Sequence, residues 1–190
     1  MAAAEPRSPV RAQKVSVRAL FALAVVAVGV YGFDQLTKFL ISTRLVENDS
    51  VDVLGQFLQF HFVKNPGAAF SLASGSTWVF SIVAAAVTVF IIVFARRIRS
   101  ITWAVICGML LGGTAGNLTD RLFREPGFGR GHVVDFIQVY GFGAIFNIAD
   151  SFIVVSMALF IFASIRGIRL DGQPSIRAEK NSALPPAEEK

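Results

Sequence analysis

Four apolar runs divide this chain: about Val17 to Ile41, Ser76 to Ala95, Ile101 to Phe123, and about Ile145 to Ile165. A hydrocarbon core of ~30 Å is crossed by about 20 apolar residues in a helix, so four transmembrane helices are predicted. Basic residues punctuate the runs at alternate ends. Arg11 and Lys14 precede the first and Arg18 stands at its start, Arg96, Arg97 and Arg99 separate the second from the third, and Arg166 and Arg169 follow the fourth. Cytoplasmic loops carry the excess of Lys and Arg, so both termini are expected in the cytoplasm, with spans two and three forming a hairpin whose tip lies there too. The first run is too long for the apolar region of a cleaved signal and has no small-residue cleavage site, so it is read as a retained span.

Two outer segments have a different pattern. Val51–Leu54 and Phe57–Val63 are β-branched, aromatic and partly alternating, with Gly55 between them, which predicts a short hairpin or small sheet at the membrane surface. Arg124 to Gly143 carries five glycines around the apolar Val133-Val134-Asp135-Phe136-Ile137. It is expected to be a loop of tight excursions whose apolar centre docks somewhere.

Against this background the acids stand out. Asp34, Asp120, Asp135 and Asp150 lie in or beside the apolar runs, where an ionisable group is costly and is by default a functional candidate. From Arg18 to Asp34, from Ile101 to Asn117 and from Asp150 to Arg166 the separation is 16 residues each. At the helical rise that is roughly 24 Å, so these polar groups converge near the outer face of the membrane. Acids spread through the bilayer would suit a transporter of ions or protons. Acids gathered at one face favour chemistry at the surface.

Composition agrees with one membrane-embedded unit, 54% hydrophobic and only 16% charged. Residues 17–166 are expected to form it, with 1–16 and 167–190 as disordered cytoplasmic tails. The pI near 9.9 does not imply a nucleic-acid partner, because the cations sit in short clusters flanking the spans. Cys107 is a lone packing residue, and His61 and His132 belong to no metal-binding pattern, so neither metal nor cofactor is expected.

The local motifs each have an ordinary reading. Gly108, Gly112 and Gly116 recur every four residues, which lets two helices approach closely. Asn117, Asp120 and Arg121 share one helix face, as an interfacial ion pair would. Asn147 and Asp150 look like the cap and third position of the fourth helix. Asp34 and Lys38, four apart, suit a salt bridge in structural or lipid-facing positions. Asn65-Pro66-Gly67 suits a tight turn.

Taken in order, these motifs form a set. Asp34-x-x-x-Lys38, Asn65-x-Gly67-Ala68-Ala69-Phe70, Gly112-Gly113-x-x-Gly116-Asn117-x-x-Asp120-Arg121, Val133-Val134-Asp135-Phe136 and Phe146-Asn147-x-Ala149-Asp150 resemble the lipoprotein signal peptidase (signal peptidase II) family. The resemblance runs from about residue 30 to 155 and implies a mainly α membrane protein, four helices with a small extracytoplasmic β-sheet, in a bacterial inner membrane. It implies an aspartyl endopeptidase that removes the signal peptide from diacylglyceryl-modified prolipoproteins, cutting before the lipidated cysteine. By that pattern Asp135 and Asp150 are the catalytic pair, with Asn65, Asn117, Asp120, Arg121 and Asn147 binding substrate or supporting the pair. The partners implied are lipidated prolipoproteins and membrane lipids, with no obligate protein partner. The chemistry is consistent: amide hydrolysis without a metal or nucleophile needs one carboxylate to take a proton from water and a second, protonated, to polarise the carbonyl.

Overall fold

The computed structural model describes residues 15–67 and 77–172. Ala68, Ala69 and Phe70 of the third motif lie outside those residues. Four helices are long and apolar enough to cross a membrane. Helix α1 spans Val17–Arg44, and Ser16 caps it by accepting from the Ala19 amide at 3.3 Å. Helices α2 (Thr77–Phe94), α3 (Ile101–Phe123) and α4 (Ile148–Ile165) follow, with a single 3-10 turn at Ala95–Arg97 closing the hairpin between α2 and α3.

Helix α3 is the axis of the bundle. One stripe of α1, Ala19, Leu23, Ala27, Val30, Asp34, Lys38 and Ile41, is buried at intervals of three and four, and α1 packs most closely on α3. The glycine stripe is what permits this. A Cβ on Gly108 would lie 2.8 Å from the Leu23 carbonyl oxygen, and one on Gly112 would lie 2.6 Å from that of Ala27. A Cβ on Gly116 would meet the Asp34 carboxylate. Gly113 serves α4 in the same way, 2.8 Å from the Ala149 carbonyl oxygen.

The outer segments combine into one antiparallel sheet in the order β1-β2-β3-β4. Strands β1 (Ser50–Leu54) and β2 (Leu58–Asn65) are the expected hairpin. The glycine-rich segment is not simply a loop. Its apolar centre forms β3 (Val133–Val139), paired on β2 with Asn65 opposite Val133 and Val63 opposite Asp135, and β4 (Ile145–Phe146) returns against it. Alternation along β3 sends Val134 and Phe136 into a cluster with Ile41 and Phe62, and so turns Asp135 to the opposite face. The fourth helix accordingly begins at Ile148, three residues later than the hydropathy pattern suggests, because Asn147 stops the strand and caps the helix.

At the basic end the chain stays ordered beyond the last span. The Leu170 carbonyl accepts from the Arg99 and Ser100 amides at 2.9 and 3.2 Å, and the Trp103 indole donates to the Ile168 carbonyl at 2.9 Å. Residues 167–172, expected as the start of a disordered tail, are therefore strapped across the α2–α3 turn.

Candidate active site

Asp135 occupies the middle of β3 and is 2% exposed. Two amide side chains hold it. Asn65 Nδ2 donates to Oδ2 at 2.7 Å and Asn147 Nδ2 donates to Oδ1 at 2.6 Å. Asn65 is itself fixed, since its Oδ1 accepts from the Gly67 amide at 2.8 Å in an Asn-Pro-Gly turn. Gly67 has φ +96°, and a Cβ there would press on the Phe80 ring at 2.8 Å, so both backbone and space require glycine.

Asp150 reaches the same point from the first turn of α4, half-buried. Asn147 and Asp150 form a reciprocal capping box: the Asp150 amide donates to Asn147 Oδ1 at 2.9 Å and the Asn147 amide donates to Asp150 Oδ2 at 3.2 Å. Asn147 therefore touches both carboxylates, Asp135 through its side chain and Asp150 through its backbone. Asn117 completes the link, donating from Nδ2 to Asp150 Oδ1 at 2.8 Å while its Oδ1 accepts from Asn147 at 3.1 Å. Burial pushes the Asp135 carboxyl up to about 6, helped by the negative charge of Asp150 and opposed by the amides of Asn65 and Asn147 and the charge of Lys38. A carboxyl so placed keeps its proton to higher pH than usual, beside a second carboxylate one residue's reach away.

Behind this pair lies a second polar layer. Lys38 and Asp34 are both 0% exposed, so they face the bundle interior and not lipid, correcting the lipid-facing alternative. Lys38 Nζ spends its three protons on Asp34 Oδ2 at 2.8 Å, Asp120 Oδ2 at 2.9 Å and Asn117 Oδ1 at 2.8 Å. Asp34 Oδ1 accepts from the Ala149 amide at 2.9 Å, tying α1 to the start of α4. Asp120 Oδ2 accepts from the Val134 amide at 3.2 Å, tying α3 to β3, and Asp120 Oδ1 accepts from Arg124 Nε at 2.7 Å. The cations in direct ion-pair contact with Asp120 are thus Lys38 and Arg124, and its sequence neighbour Arg121 acts on it only through its charge.

Arg121 takes a different position. Its guanidinium lies over the Phe80 ring, 5.4 Å from the centroid, and Nη1 donates to the Pro66 carbonyl at 3.5 Å. It braces the turn that carries Asn65 and adds positive charge near both aspartates. Gln35 was not singled out from the sequence, although it donates to the Asp34 carboxylate and to the Gly116 carbonyl, each at 3.1 Å. Its signal was its place beside Asp34 in an apolar span. Arg124 was missed because it stands past the end of α3, one turn from its partner. Among the described residues no group of three or more His, Cys, Asp or Glu is arranged to hold a metal ion.

The family described as signal peptidase (SPase) II matches residues 26–166. A lipoprotein signal peptidase of Leifsonia xyli subsp. xyli is 58% identical over 178 residues, covering 93% of this chain and 82% of the relative. One of Streptomyces griseus subsp. griseus is 44% identical over 155 residues, covering 82% and 79%. Two solved structures described as bacterial membrane enzymes superpose with TM-scores of 0.67 and 0.68 at 31% and 29% identity. They cover 80% and 86% of this chain and 97% and 98% of their own.

Proposed function

The chain belongs to the signal peptidase II family and is a bacterial membrane signal peptidase that processes prolipoproteins; on that premise we propose an aspartic-type enzyme in which Asp135 and Asp150 are the catalytic pair. The observation that carries this reading is the double grip of Asn147, which holds one carboxylate by its side chain and the other by its backbone. Asp135, its carboxyl pushed up to about 6, holds the proton and donates it toward the scissile carbonyl oxygen. Asp150, less buried, takes a proton from the attacking water. Water's oxygen adds to the carbonyl carbon and the oxyanion receives the Asp135 proton; as the C–N bond breaks, the proton on Asp150 passes to the leaving amine and a hydroxyl of the gem-diol returns a proton to Asp135, leaving the carboxylic acid product and the pair as it began.

Asn65, Asn117 and Asn147 keep both carboxylates in place, and Lys38, Asp34 and Asp120 lock the elements that carry them. Arg121 shapes the turn against which a peptide backbone lies. The basic ends of the spans face the cytoplasm, so the pair works at the extracytoplasmic face, and residues 17–166 constitute the peptidase unit. A substrate anchored there by acyl chains is delivered in the plane of the site, since each buried methylene adds about 0.8 kcal/mol of membrane retention. The test is direct: purified protein in detergent is incubated with a diacylglyceryl-modified prolipoprotein, with and without a chelator. The shortened product is expected in both. Activity lost in chelator and restored by zinc would overturn the aspartic reading.

A further inference from the structure

The face of β3 that points away from Asp135 has a site of its own. Val134 turns to that side, and there Val134 and Phe62 contribute the apolar wall of a cleft of about 280 Å³. The rest of its lining is mostly basic. Lys64 of β2, Arg124 at the end of α3 and His132 just before β3 meet there beside Ser42 of α1, and Glu125 is the one acid among the described residues that line it. Two backbone bonds hold this group in place. The His132 amide donates to the Glu125 carbonyl and the Gly131 amide to the Arg121 carbonyl, each at 2.9 Å, so the two ends of the intervening loop are fastened together.

The donors of these side chains are largely uncommitted. Arg124 gives Nε to Asp120 at 2.7 Å, but Nη1 and Nη2 make no hydrogen bond among the described residues, and neither does the His132 ring. Lys64 meets Glu47 at 3.4 Å with both side chains well exposed, a surface contact of little strength. A guanidinium, an imidazole and an ammonium converging on one cleft suit the oxygens of a phosphate.

Depth identifies where that phosphate comes from. Ser42 lies 24 residues above Arg18 on α1 and Arg124 lies 23 residues beyond Ile101 on α3, roughly 36 and 35 Å. The hydrocarbon core is ~30 Å thick, so the cleft stands at the level of the outer headgroups. Apolar side chains lead from it toward the core: Phe123, 76% exposed, lines the cleft, and the exposed Phe39 stands one turn below Ser42 on the same face of α1.

We propose that this cleft binds the phosphodiester of an outer-leaflet glycerophospholipid, with Arg124, His132 and Lys64 on the phosphate oxygens and Phe123 and Phe39 against the first carbons of its acyl chains. A soluble phosphate would leave both rings without a partner. The bound lipid braces β3 from behind, because Arg124 holds Asp120 and Asp120 holds the Val134 amide.

The test titrates the purified full chain, in a maltoside detergent without phosphate, with three probes. Dioleoyl phosphatidylglycerol carries phosphodiester and chains, dioleoylglycerol lacks the phosphodiester, and glycerol 3-phosphate lacks the chains. Amide hydrogen exchange in peptides covering Phe123–Val134 reads occupancy, as the probe concentration that halves the rate. Phosphatidylglycerol is expected to slow exchange there, dioleoylglycerol to leave it unchanged, and glycerol 3-phosphate to need about a hundredfold higher concentration, having no methylenes to bury. Lys64→Gln with His132→Gln, at side chains outside the core, is expected to keep the lipid-free Tm and raise the halving concentration of phosphatidylglycerol about tenfold, as loss of charged hydrogen bonds would. Arg96→Gln with Arg97→Gln, at the cytoplasmic turn, is expected to leave it unchanged. Exchange that phosphatidylglycerol does not slow in the unaltered protein, or a halving concentration that moves with Arg96 and Arg97 and not with Lys64 and His132, would overturn the site. Equal potency of glycerol 3-phosphate, or of dioleoylglycerol, would overturn the phospholipid as its occupant.

Discussion

The ammonium of Lys38 lies 2.8 Å from the side-chain oxygen of Asn117 and thereby decides which way that amide points. With Oδ1 held by a cation, Nδ2 must face Asp150. A lysine two helices away thus sets the hydrogen bonding of the candidate base. Lys38→Met is expected to lower stability, since it leaves Asp34 and Asp120 buried with less compensating charge, at about 3–5 kcal/mol for a broken buried pair. Lys38→Met with Asp34→Asn restores part of that charge balance. In this folded background kcat is expected to remain about ten- to hundredfold low, the equivalent of one hydrogen bond to a charged group. Thermal unfolding and turnover measured on both variants check this; full activity in the double variant would reduce Lys38 to scaffold.

The state of Asp135 gives a pH dependence with a definite sign. Its carboxyl rises from the usual 3.8 to about 6 on folding, so between those values the folded protein binds more protons than the unfolded chain. The stability contributed by Asp135 is therefore full below pH 3.8, falls as pH rises to about 6, and is level above. The proton that the proposed mechanism places on Asp135 is lost as pH rises through about 6. In a kcat/KM profile of the free enzyme the alkaline limb is expected near pH 6, and in kcat at higher pH, because bound peptide displaces water and raises the carboxyl further. An alkaline limb at one pH in both profiles would contradict this.

Glycines inside and outside the α1–α3 interface should behave differently. Gly112→Ala places a methyl 2.6 Å from the Ala27 carbonyl oxygen and must part α1 from α3, with a cost of about 1–3 kcal/mol. Gly29→Ala and Gly32→Ala in α1 meet nothing within 4 Å and are expected to be neutral or slightly stabilising. Thermal unfolding of the three variants in one detergent distinguishes them, and equal Tm values would refute the close-packed interface.

Much of this arrangement was legible because its determinants are local. The four runs predicted the four spans, and in α3 the predicted and observed limits coincide at Ile101 and Phe123. The 16-residue spacings brought Asp34, Asn117 and Asp150 to one level, and the Asn147–Asp150 cap followed from its own helix. The long-range pairings were not legible. Nothing near Val133–Val139 reveals that its partner is Leu58–Asn65, and its flanking glycines suggested an excursion where the apolar centre instead adds a strand. Asp120 and Arg121 looked like partners because each shares a helix face with Asn117, whereas the two flank that face, ~100° apart, and reach Lys38 and Pro66 instead.

The central claim is that Asp135 and Asp150 form the reacting pair while Asp120 supports them. The measurement that tests it most directly is single-turnover cleavage of a lipidated prolipoprotein by Asp135→Asn, Asp150→Asn and Asp120→Asn, with the folding of each monitored by thermal unfolding. Both Asp135→Asn and Asp150→Asn are expected to keep a cooperative transition and to lose turnover, and the double variant is expected to be no worse than either alone. Asp120→Asn weakens the ties to Lys38, Arg124 and Val134, so a lower Tm and reduced but measurable turnover are expected. A folded Asp135→Asn that still cleaves, beside a folded Asp120→Asn that does not, would contradict the account and move the pair to Asp120 and Asp150.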